Sequence, residues 1–551
     1  MLLTDPNDEL GDVSGMSTVT EEKDSEKNEV IEDAPLPPRN ISGVKWIAVV
    51  LAILSSTFLF ALDNTITADV QPAIVLHFGS VDKLTWLSVA FLVGAAATNL
   101  VWGKIFGQFN AKWMYIFCVF LFELGSAVCG SAPSMDALII GRAICGVAGS
   151  GMYVGVMTLL AATTTIQERP IYIGGTGLTW GLGTILGPII GGALTDSSAG
   201  WRWAFYINLV IGAICAPIYL FLIPSVDPRP GVSFKACAKE MDYIGALLTM
   251  GAFVSGVMAV SFGGVTWAWG SGRIIGLFVC SGVLFSLLAI QQVWTIGTNK
   301  AHRIFPVEFF RSRTMLLLFI CTSAGGAAIF ILIYMIPIFF QFTRSDSALE
   351  AGVRLLPFIM LMIFSVITNG AVLSKYGLYM PWYTVGGILV IIGGALMYTV
   401  NIYTTTSAIY GFSVIIGCGV GLFAQSSFAV AQAIVTPDLV SIAVGFITCG
   451  QITGSTIAIA IANSLLLNGS QDSIQAILPD VPTKQIQEAI SGAGSSLVQS
   501  LSPELQTQVL DAIVKAMGKS YILVVVAGSV VVVCSAAMKR ERLFIEAGGA
   551  A

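Results

Sequence analysis

A chain of 551 residues in which 55% are hydrophobic and only 11% charged is not a string of ordinary soluble domains, where about a quarter of residues carry charge. The formal net charge of −5 is unevenly spread: residues 1–44 hold eleven acids and three bases, which leaves 24 bases and 21 acids for the rest. No basic face is dense enough to track phosphates, which excludes nucleic acid as a partner.

Residues 1–44 have few large apolar side chains and end in Pro35, Pro37 and Pro38, the composition of a disordered acidic tail. No apolar signal region follows Met1, so the first span must itself direct the chain to the bilayer. The segment 45–225 then carries six apolar blocks, near 46–66, 84–102, 113–131, 137–161, 170–194 and 202–223. Each approaches the roughly 20 residues that cross a hydrocarbon core. Lipid offers backbone groups no partner, so such blocks must be helices. Residues 226–300 add two more, near 242–262 and 274–295, with flanking loops. Residues 301–538 add six, near 314–341, 350–374, 379–400, 407–430, 439–467 and 519–538, and 539–551 form a short tail. The pattern predicts an all-α membrane protein with fourteen transmembrane helices.

Lys and Arg concentrate in alternate loops, at Lys104, Lys112, Arg169, Arg229, Lys235, Lys239, Lys300, Arg303, Arg311, Arg313, Lys375 and after Lys539. That bias predicts both termini on the cytosolic side, which an even number of spans satisfies. The polar stretch 468–518 then lies outside and is expected to carry amphipathic surface helices around Ile474–Leu478 and Leu505–Met517. It contains a glycosylation sequon at Asn468. The ten cysteines lie almost wholly in apolar blocks without CxxC spacing, which reads as packing rather than metal or redox use. No metal site is expected.

Glycines recur at a nearly constant offset. Gly103 matches Gly370, the group Gly146, Gly149 and Gly151 matches Gly417, Gly419 and Gly421, and Gly187 matches Gly454. Two related six-helix halves with a pair inserted between them would place a site at their interface, near mid-membrane. Ionisable residues inside spans are few: Asp63, Glu123 and Arg142. A charge at the bilayer centre is costly, so these need partners or water. Asp63 with Arg142 suits either a proton switch or a static ion pair, and Glu123 either coupling or helix packing. The segment Gly183-Thr-Ile-Leu-Gly187-Pro188-Ile-Ile-Gly191-Gly192 combines a kinking proline with a bare face on which another helix can lie.

These motifs are similar to those of the fourteen-span drug:proton antiporter branch of the major facilitator superfamily, and most resemble those of fungal toxin and multidrug efflux pumps. Gly183 to Gly192 matches that branch's antiporter motif. Leu62-Asp63-Asn64-Thr65-Ile66 resembles its first-span motif, Gly141-Arg142-Ala143 through Gly146 its fourth-span motif, and Trp201 to Asn208 the start of its sixth span. The resemblance implies a major-facilitator fold and proton-coupled exchange, with Asp63, Arg142 and Glu123 carrying coupling. It implies a central substrate cavity, for which Trp86, Phe91, Asn99, Trp180, Tyr334 and Gln341 are the candidates. The gating loops would be Gly103 with Lys112, and Gly370 with Lys375 and Gly377. The first of these loops departs from the family pattern: Gly107 and Gln108 replace its acid and first arginine, and Asn110 a glycine, so loop packing takes over from a charged latch.

The expected activity is proton-driven export of small hydrophobic or amphipathic compounds such as secondary metabolites, mycotoxins or drugs. The expected protein is a monomer, more often of the plasma membrane than the vacuole, that needs no cofactor beyond the proton gradient. No G-x-x-x-x-G-K-[ST] loop supports ATP-driven transport. Few acids in the later half favour neutral or weakly charged cargo. Vacuolar import of basic amino acids and carriage of iron chelates are rival transport readings. A non-transporting sensor is a rival of another class, and no nucleophile cluster points to an enzyme.

Overall fold

The computed structural model describes residues 39–80, 83–264, 266–482, 485, 486, 490 and 500–543. The acidic tail expected over 1–44 and the final tail over 539–551 lie mostly outside the described residues. Fourteen helices among the described residues are long and apolar enough to cross a membrane. The first six are α1 (Gly43–Phe78), α2 (Leu84–Gln108), α3 (Ala111–Ser131), α4 (Met135–Thr163), α5 (Arg169–Asp196) and α6 (Trp203–Phe221). The inserted pair is α7 (Tyr243–Phe262) and α8 (Gly272–Trp294). The later six are α9 (Arg313–Arg344), α10 (Leu356–Tyr376), α11 (Met380–Tyr398), α12 (Thr406–Gly421), α13 (Val440–Ile477) and α14 (Pro503–Ala537). A short helix, Ala348–Val353, precedes α10, and α12 resumes after a break as Ser426–Ile434.

The glycine repeat is a repeat of contacts. A methyl group added at Gly146 would strike the Phe91 carbonyl on α2, and one at Gly417 would lie 2.5 Å from the Phe358 carbonyl on α10. At Gly187 it would strike Thr65 on α1, and at Gly454 the Ser323 carbonyl on α9. Gly103 lies against Ser441 and Gly445 of α13, and Gly370 against Pro170 of α5. In lipid, where burial of apolar surface drives little, this close approach of backbones is what holds helices together.

Chain contacts define two faces. Near both termini, Arg39 donates to Glu168 at 2.8 Å, Ser374 to the Gln167 carbonyl at 2.5 Å, and the Leu543 amide to the Gly377 carbonyl at 3.0 Å. The opposite, or far, face carries Lys83 bonded to Asp136 at 2.7 Å and Arg344 bonded to the Thr404 carbonyl at 3.0 Å.

The inserted pair packs on α2, with Phe262 ringed by Trp86 and Trp267. Buried Asp242 fastens its base: the carboxylate accepts from the Gly245 amide at 2.8 Å, Gln291 at 3.0 Å and Gln292 at 2.7 Å. The long loop expected over 468–518 is corrected. The ends of α13 and α14 continue as one antiparallel pair beyond the apolar stretches, burying Ile474, Val509, Ile513 and Met517. Gly469 of α13 lies against Ala516 of α14, and these apolar side chains are buried in the protein instead of lying on a membrane surface. Asn468 is exposed on α13, while Ser470 of the same sequon is buried.

Candidate functional site

Four helices converge on Asp63. Arg142 on α4 reaches across to Asp63 on α1 through its Nη1, and both side chains are essentially fully buried, at 1% and 0% exposure. Arg142 Nε also donates to the Leu87 carbonyl at 3.2 Å. Asn208 on α6 donates to Asp63 at 3.2 Å and to Ser126 on α3 at 3.0 Å. Charges withdrawn from water persist only when such added bonds satisfy them. Sequence reasoning found Asp63 and Arg142 but gave Asn208 no role; its polar amide inside an apolar span was the available signal.

Glu123 stands apart. It lies on α3 within electrostatic reach of Asp63, but both of its carboxyl oxygens are buried with no hydrogen-bond partner. It faces Gly212 of α6, where any side chain would collide with it.

Between the halves lies a cavity of about 370 Å³. Its walls include Phe60, Phe91, Tyr153 and Trp180 from the first half, and Phe330, Tyr334 and Met362 from the second. Amides and hydroxyls supply its polar positions: Asn64, Gln71, Ser88, Gln425, Gln451, Ser455 and Asn463. Gln425 sits where α12 breaks, and its buried Oε1 has no partner. No Asp, Glu, Lys, Arg or His lines the cavity among the described residues.

One ring joins this cavity to the ion pair. The Arg142 guanidinium lies 4.3 Å over Phe91, and Phe91 faces Phe60 at 5.4 Å between ring centroids. Phe60 meets Trp180 at 5.4 Å, and Trp180 meets Tyr153 at 6.0 Å. Glycines on α4 seat this row: Gly146 lies against the Phe91 backbone and Gly149 against the Phe60 ring.

The cavity reaches towards the far face, since Gln71, Thr85 and Ser88 from the far ends of α1 and α2 line it. Near the termini the halves close on each other. Asn99 donates to the Gly445 carbonyl at 2.7 Å and Arg169 to the Gln432 carbonyl at 3.2 Å. On the far side, Pro188 faces Gly352, and Gly192 faces Leu349. The glycine-rich segment of α5 lies along α1, where Thr65 donates to the Gly183 carbonyl at 3.2 Å; Gly191 is buried.

Of the cavity candidates, Phe91, Trp180 and Tyr334 line it. Three need correction. Trp86 packs on Phe262, 4.7 Å between centroids, because the inserted pair covers that side of α2. Asn99 is spent on the α2–α13 seal, and Gln341 is exposed near the far end of α9. Lys112 and Lys375 form no ion pair with a carboxylate among the described residues; each cation lies by its neighbour's ring, Trp113 at 5.7 Å and Tyr376 at 5.4 Å. Gly377 ends α10 in the left-handed region, at φ 67°.

Two repeated six-helix halves with a cavity between them are a build shared by many transporters of small molecules. The chain belongs to the Major Facilitator Superfamily, whose family profile matches residues 53–459. It is accordingly a transporter and not an enzyme. It is 49% identical to MFS-type transporter pgmG of Aspergillus terreus over 525 residues, covering 95% of this chain and 93% of that one. It is 47% identical to efflux pump alnA of Emericella nidulans, covering 94% of each chain. Among solved structures, the human organic anion transporter MFSD10 superposes with a TM-score of 0.55 at 12% identity, covering 88% of this chain and all of that one; this likeness concerns the fold.

Proposed function

We propose that this chain exports neutral or weakly charged amphipathic metabolites in exchange for protons. The observation that carries the reading is the uncharged cavity of aromatic rings and amides, separated from the buried Asp63–Arg142 pair by the single ring of Phe91. Efflux pumps among the relatives support the direction of transport. Protonation of Asp63 would release Arg142 from its counter-charge, and Phe91 would pass the movement to the cavity wall. Glu123, a carboxyl group with neither a base nor a donor beside it, is the site for a second proton. With both termini in the cytosol, this conformation is the outward-facing one, and residence in the plasma membrane makes that side the cell exterior.

Import of basic amino acids fits less well, because a cationic cargo would meet no carboxylate in the cavity. The test is transport in proteoliposomes under an imposed pH gradient, with the intact chain beside Asp63→Asn and Arg142→Ala. Uphill movement of a neutral amphipathic dye, lost in both variants while they still fold, supports the exchange. Equal movement with and without the gradient, or unaltered variants, overturns it.

A further inference from the structure

A second chamber of about 530 Å³ lies between the inserted pair and helices α9 and α13. It adjoins the central cavity, and Val260, Ile452 and Thr456 line both. Its inner wall is buried, with Val257 at 7%, Leu288 at 6% and Phe446 at 0% exposure. Its rim is exposed, with Phe285 at 40% and Val293 at 57%, on helices whose exposed large side chains near it are apolar: Phe278, Val279, Val283, Leu287 and Ile290. Three of the polar side chains along it are already engaged. Ser281 donates to the Ala252 carbonyl at 2.9 Å, Thr456 to the Ile452 carbonyl at 2.8 Å, and Gln292 to Asp242 at 2.7 Å.

We infer that this side chamber is a binding site for the hydrocarbon part of the exported molecule, admitted sideways from the bilayer while its polar part occupies the central cavity. The inference rests on the transport reading above and specifies its cargo: neutral compounds with an extended alkyl or aryl chain. Adjacency to the central cavity, from which only Val260, Ile452 and Thr456 divide it, is what selects this occupant. A chain passing from lipid into an equally apolar chamber loses no solvation, and the cargo's polar end meets Gln425, Gln451 and Ser455 across the shared wall. A cavity for a small molecule is ordinarily apolar with a few convergent polar groups, and the two chambers together have that form.

The test uses the full chain in phosphatidylcholine nanodiscs and two probes, the dansyl amides of dodecylamine and of butylamine. Ala289 lines the chamber and is exposed, so Ala289→Trp narrows it without cutting into the core; Ile290→Trp, beside it but outside the lining, is the control. Expected is a loss of dodecyl-probe binding of about tenfold in Ala289→Trp, with the butyl probe and the control nearly unchanged. Equal loss of both probes, or no loss of either, overturns the inference. So does a diazirine-tagged phosphatidylcholine that labels the chamber and is not displaced by the dodecyl probe, because the occupant is then lipid. Binding is read without a gradient, so failed transport with chain-length-selective binding would overturn the exchange reading and leave the chamber standing.

Discussion

Removing one member of the Asp63–Arg142 pair should cost far more than removing both. In Asp63→Asn the guanidinium stays buried, with the Leu87 carbonyl as its remaining bonded acceptor and the Phe91 face beneath it. In Arg142→Gln the carboxylate keeps Asn208 alone. Stranding a buried charge costs about 3–5 kcal/mol, whereas replacing both charges by neutral groups of similar shape is often close to neutral. The double variant should therefore recover most of that loss, giving a coupling energy of at least about 2 kcal/mol. Thermal exposure of thiols to a maleimide dye reads this directly, because Cys145 on α4 and Cys129 on the neighbouring α3 are buried and all ten cysteines are free. The stable double variant should still bind cargo yet no longer respond to a pH gradient. Additive stability effects would refute the pairing argument. A double variant that keeps gradient-driven transport would refute the coupling role.

Gly146→Ala should destabilise the chain by about 1–3 kcal/mol, since its methyl group must displace the Phe91 backbone, and cargo affinity should fall with it; thiol exposure and equilibrium binding check both. Glu123→Gln, of the same shape and without a counter-charge to lose, should fold as the parent does but alter the dependence of transport on pH, as measured by dye efflux across stepped gradients. At the terminal face, Arg39 holds Glu168 below the usual carboxylate range by direct hydrogen bonds. The contribution is present above the ordinary glutamate value and is lost as pH falls through the lowered one. With Glu168 about a third exposed, it amounts to less than about 1 kcal/mol. The stability gap between the parent and Glu168→Gln should accordingly close on acidification, in melting curves taken from neutral pH downward.

The spans were legible because each needs a run of apolar residues, and lipid leaves such a run one conformation. Helices near Ile474 and over 505–517 were legible from their amphipathic spacing, but not that they continue α13 and α14 and bury Ile474, Val509 and Ile513, since burial depends on which helix packs beside them. Asp63 and Arg142 announced themselves as charges in apolar spans. Asn208 did not, because its role depends on the rotational register of α6 against α1 and α3. Trp86 and Phe91 illustrate the same limit: five residues apart on α2, one is covered by the inserted pair and the other faces the cavity.

The uncharged lining of the central cavity has an electrical consequence. A cargo without charge leaves while a proton returns, so each cycle of the proposed exchange moves net positive charge inward. Membrane voltage then drives export alongside the pH difference, contributing about 2.3 kcal/mol per proton for each 100 mV. That is a roughly fiftyfold concentration ratio per proton even where the medium outside is no more acidic than the cytosol.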